Sequence, residues 1–213
     1  MKTSPFTLRL TVMTLAILAW ACAWTGCMSR PHLDKQTFSF SAPDIAPITV
    51  VVGDRALGIR LLQIAPPFDG RSLVYRTGDF TYVRDPYAEF LDSPADEMMA
   101  PVRGWLRKEG FAAVVESGSA LTPNTLVEIH VTQLYGDFRR SHPPAAVVTL
   151  RLLLLEAPNG VPGKAILQKE YSRSVPLSAA KATALMEGWD RALAGIFTEA
   201  SMDIQRSEIA QGH

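Results

Sequence analysis

Val147-Val148-Thr149-Leu150-Arg151-Leu152-Leu153-Leu154-Leu155 is apolar at every position except Thr149 and Arg151. Successive side chains of an extended chain point to opposite faces. A run that is mostly apolar on both faces therefore predicts a central strand.

The segments on either side of this run predict its partner strands. From Thr125 the pattern has period two: Val127, Ile129 and Val131 point to one face, and the polar residues between them point to the other. After the run, residues 158–160 (Pro-Asn-Gly) predict a turn. Residues 165–171 are then expected to pair back antiparallel.

The clearest helix follows these strands. From Ser178 onward, apolar residues recur at spacings of three and four, which is typical of a long amphipathic helix. These residues are Ala182, Leu185, Met186, Trp189, Leu193, Ile196, Phe197 and Ala200.

A second helix is predicted in the middle of the chain. Ser93 is a suitable N-cap, and Pro94 suits the first helical position. Pro101 should kink this helix, and Gly110 is its predicted end. Its apolar face consists of Met98, Val102 and Trp105, with Leu106 beside them.

The N-terminal half predicts further strands. They are residues 38–40, 50–52, 59–64, and a hairpin of 73–76 with 80–83 around the turn 77–79. The order of strands, helix, strands, helix predicts an α+β fold. We expect a single domain with a mixed or largely antiparallel sheet, on which a central helix and the long C-terminal amphipathic helix pack.

The N-terminus has the pattern of an export signal. Lys2 and Arg9 precede an apolar stretch, residues 10–24, which is shorter than the roughly 20 residues of a membrane span. Residues 24–27 (Trp-Thr-Gly-Cys) resemble the bacterial lipobox, in which small residues precede a lipidated cysteine, although Trp24 departs from the usual aliphatic residue. Cys27 is the predicted lipidation site. Cys22 is the alternative, with the bulky Trp20 two positions before it.

The predicted organisation follows from that cysteine. We expect a signal peptide over 1–26, a lipidated cysteine and tether over 27–37, a folded domain over 38–205 and a flexible tail over 206–213. Met28 follows the cysteine, in place of the aspartate that often retains lipoproteins at the inner membrane. By analogy with enteric bacteria, this predicts attachment to the periplasmic face of the outer membrane.

Composition argues against several classes of function. The formal net charge is zero and basic residues are scattered, so nucleic-acid binding is not expected. Both cysteines lie within the first 27 residues, which leaves none for a disulfide, a thiolate nucleophile or a metal site in the folded domain.

No group of residues predicts catalysis or a cofactor. The four histidines lack metal-ligand spacing, and no GxSxG motif or glycine-rich phosphate loop occurs. Asp96 and Glu97 are interpreted as charges of a helix N-terminus. We therefore expect no catalytic residue, metal ligand or cofactor. Trp105 and Trp189 are compatible with packing against the sheet or with a groove for an acyl chain, and both interpretations stay open here.

Four segments carry a resemblance to a known family. They are Phe38–Pro43, Leu57–Arg76, Tyr87–Leu91 and Gly188–Leu193. In this order they resemble the ABC-type transport auxiliary lipoproteins, which include the lipoprotein of the paraquat-inducible system. Tyr87 stands where the family has a tryptophan at the start of a helix.

The resemblance implies a non-enzymatic function. Its partners would be an MCE-domain protein and the permease and ATPase of an ABC-type lipid transport system, which the lipoprotein would dock at the outer membrane. Relatives can form rings, so a homo-oligomer is an expectation. Two alternatives stay open: a lipoprotein that itself binds a lipid or another hydrophobic molecule, and a structural factor for outer-membrane assembly with no transporter partner.

Overall fold

The computed structural model describes residues 34–41, 56–108, 113–115 and 121–210. The strands are β1 (Gln36–Phe38), β2 (Ala56–Ile64), β3 (Ser72–Arg76), β4 (Tyr82–Phe90), β5 (Ala113–Val115), β6 (Thr125–Asp137), β7 (Ala145–Glu156) and β8 (Ala165–Pro176). The helices are α1 (Pro94–Lys108) and α2 (Ala182–Ala210), and a short 3₁₀ turn spans Pro158–Gly160. The predicted α+β class is confirmed.

The sheet branches at β6, its longest strand. Along one side of β6, β7 pairs antiparallel over the whole strand. Along the other side, β2 pairs parallel with the first part of β6, up to Val131, and β3 pairs parallel with its last two residues. One branch continues from β2 to β5, and the other from β3 to β4 and β1. The sheet is therefore mixed.

The predicted central strand is β7, which lies between β6 and β8. Leu150, Leu152 and Leu154 are buried, and Arg151 is exposed on the opposite face. Thr149 is also buried, and its hydroxyl bonds to the side chains of Gln133 and Ser172 at 3.0 and 2.9 Å. This polar group is thus satisfied, which removes most of the cost of burying it.

Both helices pack on one face of the sheet. Helix α2 lies on β7 and β8, and its own side chains Leu185, Trp189 and Ile196 are fully buried against the sheet. Helix α1 lies on β2 and β5 and buries its predicted apolar face, including Met98 and Val102. The apolar spacing of both helices thus identified the residues that form the core.

The predicted start of α1 is confirmed. The Oγ of Ser93 accepts a hydrogen bond from the backbone N–H of Asp96 at 3.2 Å, which satisfies one of the free donors of the first turn. Helix α1 continues through Pro101, which is buried inside it. The predicted end at Gly110 lies outside the described residues, two positions after the last helical residue, Lys108.

Several element boundaries differ from the prediction. Strand β4 continues to Phe90, so Tyr87 lies in a strand and not at a helix start, because residues 88–90 are paired by β1. Strand β1 starts at Gln36, inside the predicted tether, for the same reason. The strand predicted over 50–52 and the whole signal segment, with Cys22 and Cys27, lie outside the described residues.

The C-terminal helix also differs at both ends. It begins at Ala182 and not at Ser178, because the backbone N–H of Leu177 is bonded to the carbonyl of Pro144 and holds the chain at the sheet. It continues to Ala210, into the predicted tail, where buried Ile204 and an Arg206–Asp203 ion pair of 2.9 Å stabilise its last turns. Among the described helices, none has the length and apolar character needed to span a membrane.

Helix α2 lies very close to the sheet at Gly188. A Cβ atom built on Gly188 would lie 2.6 Å from the Cβ of Ala146 on β7, and closer still to Leu177. The Cβ of Ala146 cannot rotate away, because it is fixed by the strand backbone. Gly195, two turns later on the same helix, meets only Arg173, at 3.5 Å.

We predict opposite effects for alanine at these two glycines. Gly188→Ala should lower the free energy of unfolding by about 1–2 kcal/mol, because overpacking outweighs the gain in helix propensity. Gly195→Ala should raise it by up to about 1 kcal/mol. Urea unfolding followed by tryptophan fluorescence measures both, and equal effects of the two substitutions would contradict this account of the helix–sheet contact.

Candidate functional site

An open groove of about 360 Å³ lies between α1 and α2. We call it the interhelix groove. Its volume is at the lower end of the range for small-molecule sites, which suits a single hydrocarbon chain or a small ring system. Its lining is mainly apolar and comes from Pro101, Trp105 and Lys108 of α1, from Asp190, Leu193, Ala194, Phe197, Thr198 and Ser201 of α2, and from Ser41.

Trp105 forms the apolar centre of the groove. Its indole stacks on the ring of Phe197, with centroids 4.8 Å apart and an interplanar angle of 2°. Its Nε1–H donates to the Oγ of Ser201 at 2.9 Å, and that hydroxyl donates to the carbonyl of Phe197 at 2.8 Å. The polar atom of Trp105 is therefore satisfied within the protein, and only the edge of its largely buried side chain reaches the groove.

Trp189 has a different environment. It is fully buried, its Nε1–H points to the carbonyl of Val147 at 3.3 Å, and its ring stacks on Phe90 with centroids 5.7 Å apart. The structure thus assigns the packing interpretation to Trp189. Trp105 both packs against α2 and lines the groove.

Two charged groups face the groove. Asp190 is held by Ser41, whose backbone N–H and Oγ donate to its carboxylate at 3.2 and 2.6 Å. Lys108 is exposed at the end of α1, and among the described residues no ion pair involves it. An exposed ammonium beside an apolar lining suits a ligand with an anionic group at one end of its hydrocarbon part.

A charged cluster fixes α2 against β8 behind the groove. Lys169 pairs with Glu199 and Asp203 at 2.9 and 2.7 Å, and Arg173 pairs with Glu199 at 2.5 Å. These hydrogen bonds lower the pKa of both carboxyl groups and raise the pKa of Lys169. The Tyr171 hydroxyl donates to Asp203 at 3.0 Å, and burial is the main cause of the raised pKa of this tyrosine. We call these five residues the β8–α2 clamp, and every contact in it supports a structural role.

The structure does not bring the other residues weighed from the sequence into one site. His130 lies on the face of the sheet away from the helices, with its Nε2 3.9 Å from Glu128, which pairs with Arg60. His142 lies in the β6–β7 loop, and its Nδ1 is 2.7 Å from the Oγ of Ser141. Glu97 accepts a hydrogen bond from Ser39. His32, His213 and Cys27 lie outside the described residues, and within the described ranges no three side chains are grouped to hold a metal ion.

Sequence reasoning missed the polar residues of the groove. Ser41, Lys108 and Ser201 come from three distant parts of the chain, and no periodic pattern singles them out. The spacing of Trp105 and Phe197 on their helices did indicate two apolar faces. That the two faces meet over a groove depends on how both helices lie on the sheet.

Comparison with known proteins gives a likeness of fold. No protein-family model and no curated protein matches the sequence. A crystal structure of a Xanthomonas campestris protein of the family DUF330 is similar with a TM-score of 0.62 and 17% identity, over 84% of this chain and 98% of that one. An uncharacterized protein has a TM-score of 0.59 and 16% identity, over 81% and 97%. At these identities the likeness concerns the fold alone.

A more distant likeness is to a lipoprotein from Neisseria meningitidis. It has a TM-score of 0.37 and 10% identity, over 68% of this chain and 99% of that one. This similarity is too slight to bear on function.

Proposed function

We propose that the protein is a non-enzymatic lipoprotein, anchored through Cys27 at the periplasmic face of the outer membrane. Its function there is that of an auxiliary component of an ABC-type lipid transport system. It docks the assembly of MCE-domain protein, permease and ATPase at that membrane. The proposal combines the lipobox, the resemblance of four sequence segments and one feature of the fold.

That feature is an aromatic junction formed by Phe40, Phe90 and Trp189. The centroids of Phe40 and Phe90 are 5.4 Å apart, those of Phe90 and Trp189 5.7 Å, and those of Phe40 and Trp189 6.3 Å. Each ring comes from a different segment that carries the family resemblance. Ser41 and Asp190, from the first and last of these segments, are bonded beside the rings.

This convergence carries the proposal. Each segment is short and degenerate, so each match could arise by chance on its own. The three rings of the junction are nevertheless 50 to 150 positions apart in the sequence and contact one another in the fold. Such a contact is expected if the segments belong to one sequence pattern that encodes a shared fold. The junction therefore supports assigning the segments to a single family pattern, and the proposed function follows from that family.

We predict that this protein recovers transporter components from native membranes. With the mature lipoprotein as bait, chemical crosslinking followed by mass spectrometry should identify an MCE-domain protein or its permease. A bait with the same signal, lipobox and tether fused to an unrelated domain serves as the control. Recovery of only outer-membrane proteins or of the bait itself, with Cys27 acylated, would contradict the transporter assignment and leave the anchor intact.

The interhelix groove favours a second candidate function, the binding of one hydrophobic chain by the lipoprotein itself. Ala194, which is exposed, and Phe197, which is partly buried, supply the accessible apolar lining, and Lys108 supplies a cation at its edge. A single-chain amphiphile with a carboxylate or phosphate end matches this arrangement. Binding of this kind is compatible with a transport role and does not require one.

We predict that filling the groove removes this binding. Ala194 is exposed and lines the groove, so Ala194→Phe should occupy its volume without disturbing the core. Met202→Phe adds a ring at an exposed site of the same helix outside the lining and is the matched control. The affinity for a fluorescent fatty acid should fall at least about tenfold in the first variant only. Equal affinity in both variants would exclude the groove as the site.

A further inference from the structure

The tip of the β3–β4 hairpin exposes an aromatic ring. Phe80 is 98% exposed, the most of any large hydrophobic side chain among the described residues. Tyr82, Val83 and Tyr87 follow on β4, each about half exposed. Single exposed apolar residues are common on protein surfaces, and Tyr82 and Val83 point to opposite faces of β4. The candidate contact surface is therefore the tip itself, where Phe80 is almost fully exposed.

The tip is held in a fixed conformation. Arg76 donates to the carbonyls of Asp79 and Gly78 at 2.8 and 3.3 Å. Arg139, from the β6–β7 loop, bonds to the carboxylate of Asp79 at 2.9 Å. The backbone N–H of Thr77 closes the loop on the carbonyl of Thr81 at 3.0 Å. Phe80 therefore projects from an ordered turn that other elements support.

Arginine side chains lie near the turn that carries Phe80. Arg139 is bonded to Asp137 and Asp79, which fixes it beside the tip, and Arg140 next to it is exposed. An exposed aromatic ring on a turn near an exposed arginine suits the boundary of a phospholipid membrane. There the ring enters the acyl region, and the guanidinium group of Arg140 lies at the level of the phosphates.

The direction of β1 gives the side from which the chain enters the described fold. Strand β1 runs parallel to β4, with Gln36 opposite Ala88, so the chain enters β1 from the side of the hairpin tip. Phe80 precedes Ala88 by eight residues, which is about 27 Å of extended strand. Cys27 precedes Gln36 by nine residues, a reach of at most about 30 Å. A membrane that holds a lipid on Cys27 is therefore within reach of the tip.

We propose that the β3–β4 hairpin tip is a second membrane contact, in which Phe80 inserts into the surface of the phospholipid membrane that holds the lipidated Cys27. This inference rests on the lipid anchor of the proposed function. With two points of attachment the domain has a fixed orientation. The β7–β8 turn, at the other end of β6 and β7, then points away from the membrane, toward an incoming partner.

The absence of cysteine after Cys27 makes the test simple. In the mature, acylated protein, Phe80→Cys introduces the only free thiol, which can carry an environment-sensitive fluorophore. Val161→Cys is the matched control, since Val161 is 63% exposed in the β7–β8 turn. Both proteins are reconstituted through their lipid into vesicles of phosphatidylethanolamine and phosphatidylglycerol, and mass spectrometry verifies acylation of Cys27.

The probe at position 80 should increase in fluorescence several-fold on the vesicles and be quenched by lipids that carry a quencher. The probe at position 161 should show neither effect. If the probe at position 80 stays in water while Cys27 is acylated, the second contact is overturned and the tip is left as a surface for a protein partner. If Cys27 is not acylated, the anchor and the proposed function fail with it, and the mass measurement distinguishes this result from the previous one.

Discussion

The rest of the structure depends on the packing of Trp189, a residue of α2, against the sheet. Its ring stacks on Phe90 of β4 and lies beside Phe40, directly after β1. One side chain thus joins the longest helix to the outer strands of one branch. Removing a buried tryptophan typically costs about 3–5 kcal/mol, a large part of the stability of a domain of this size. The absence of a side chain at Gly188 permits this close approach.

The two candidate surfaces follow from that contact. Helix α2, held by the aromatic junction and the β8–α2 clamp, provides one wall of the interhelix groove, and Trp105 of α1 lies against it. Strand β1 takes its direction from its pairing with β4 next to Phe90, and this direction determines the end at which the tether enters. A single packing arrangement therefore holds both the helix that lines the groove and the strand β4 that carries the proposed membrane contact.

The parts of the fold that were predicted from sequence are those with a local pattern. The alternation from Thr125, the apolar run of β7 and the spacing on α2 each lie within about a dozen to thirty residues, and the structure has the expected strands and helix there. Pairing of β1 with β4 was missed, because it joins residues 36–38 to residues 88–90 and Gln36 looks like part of a polar tether. The hairpin of 73–76 with 80–83 was predicted, and a groove beside Trp105 or Trp189 was one of two open interpretations. What the sequence did not indicate was the support of the hairpin tip and the polar lining of the groove. Both depend on contacts between distant residues, such as Arg139 with Asp79.

The account depends most on the lipid at Cys27, since the membrane attachment, the docking role and the second contact all assume it. The direct measurement is the intact mass, with N-terminal peptide mapping, of the protein extracted from the membranes of its native host. The account predicts a chain that begins at Cys27 and carries a lipid of two or more acyl chains on that residue. A chain that still begins at Met1, or a Cys27 without lipid, would contradict it.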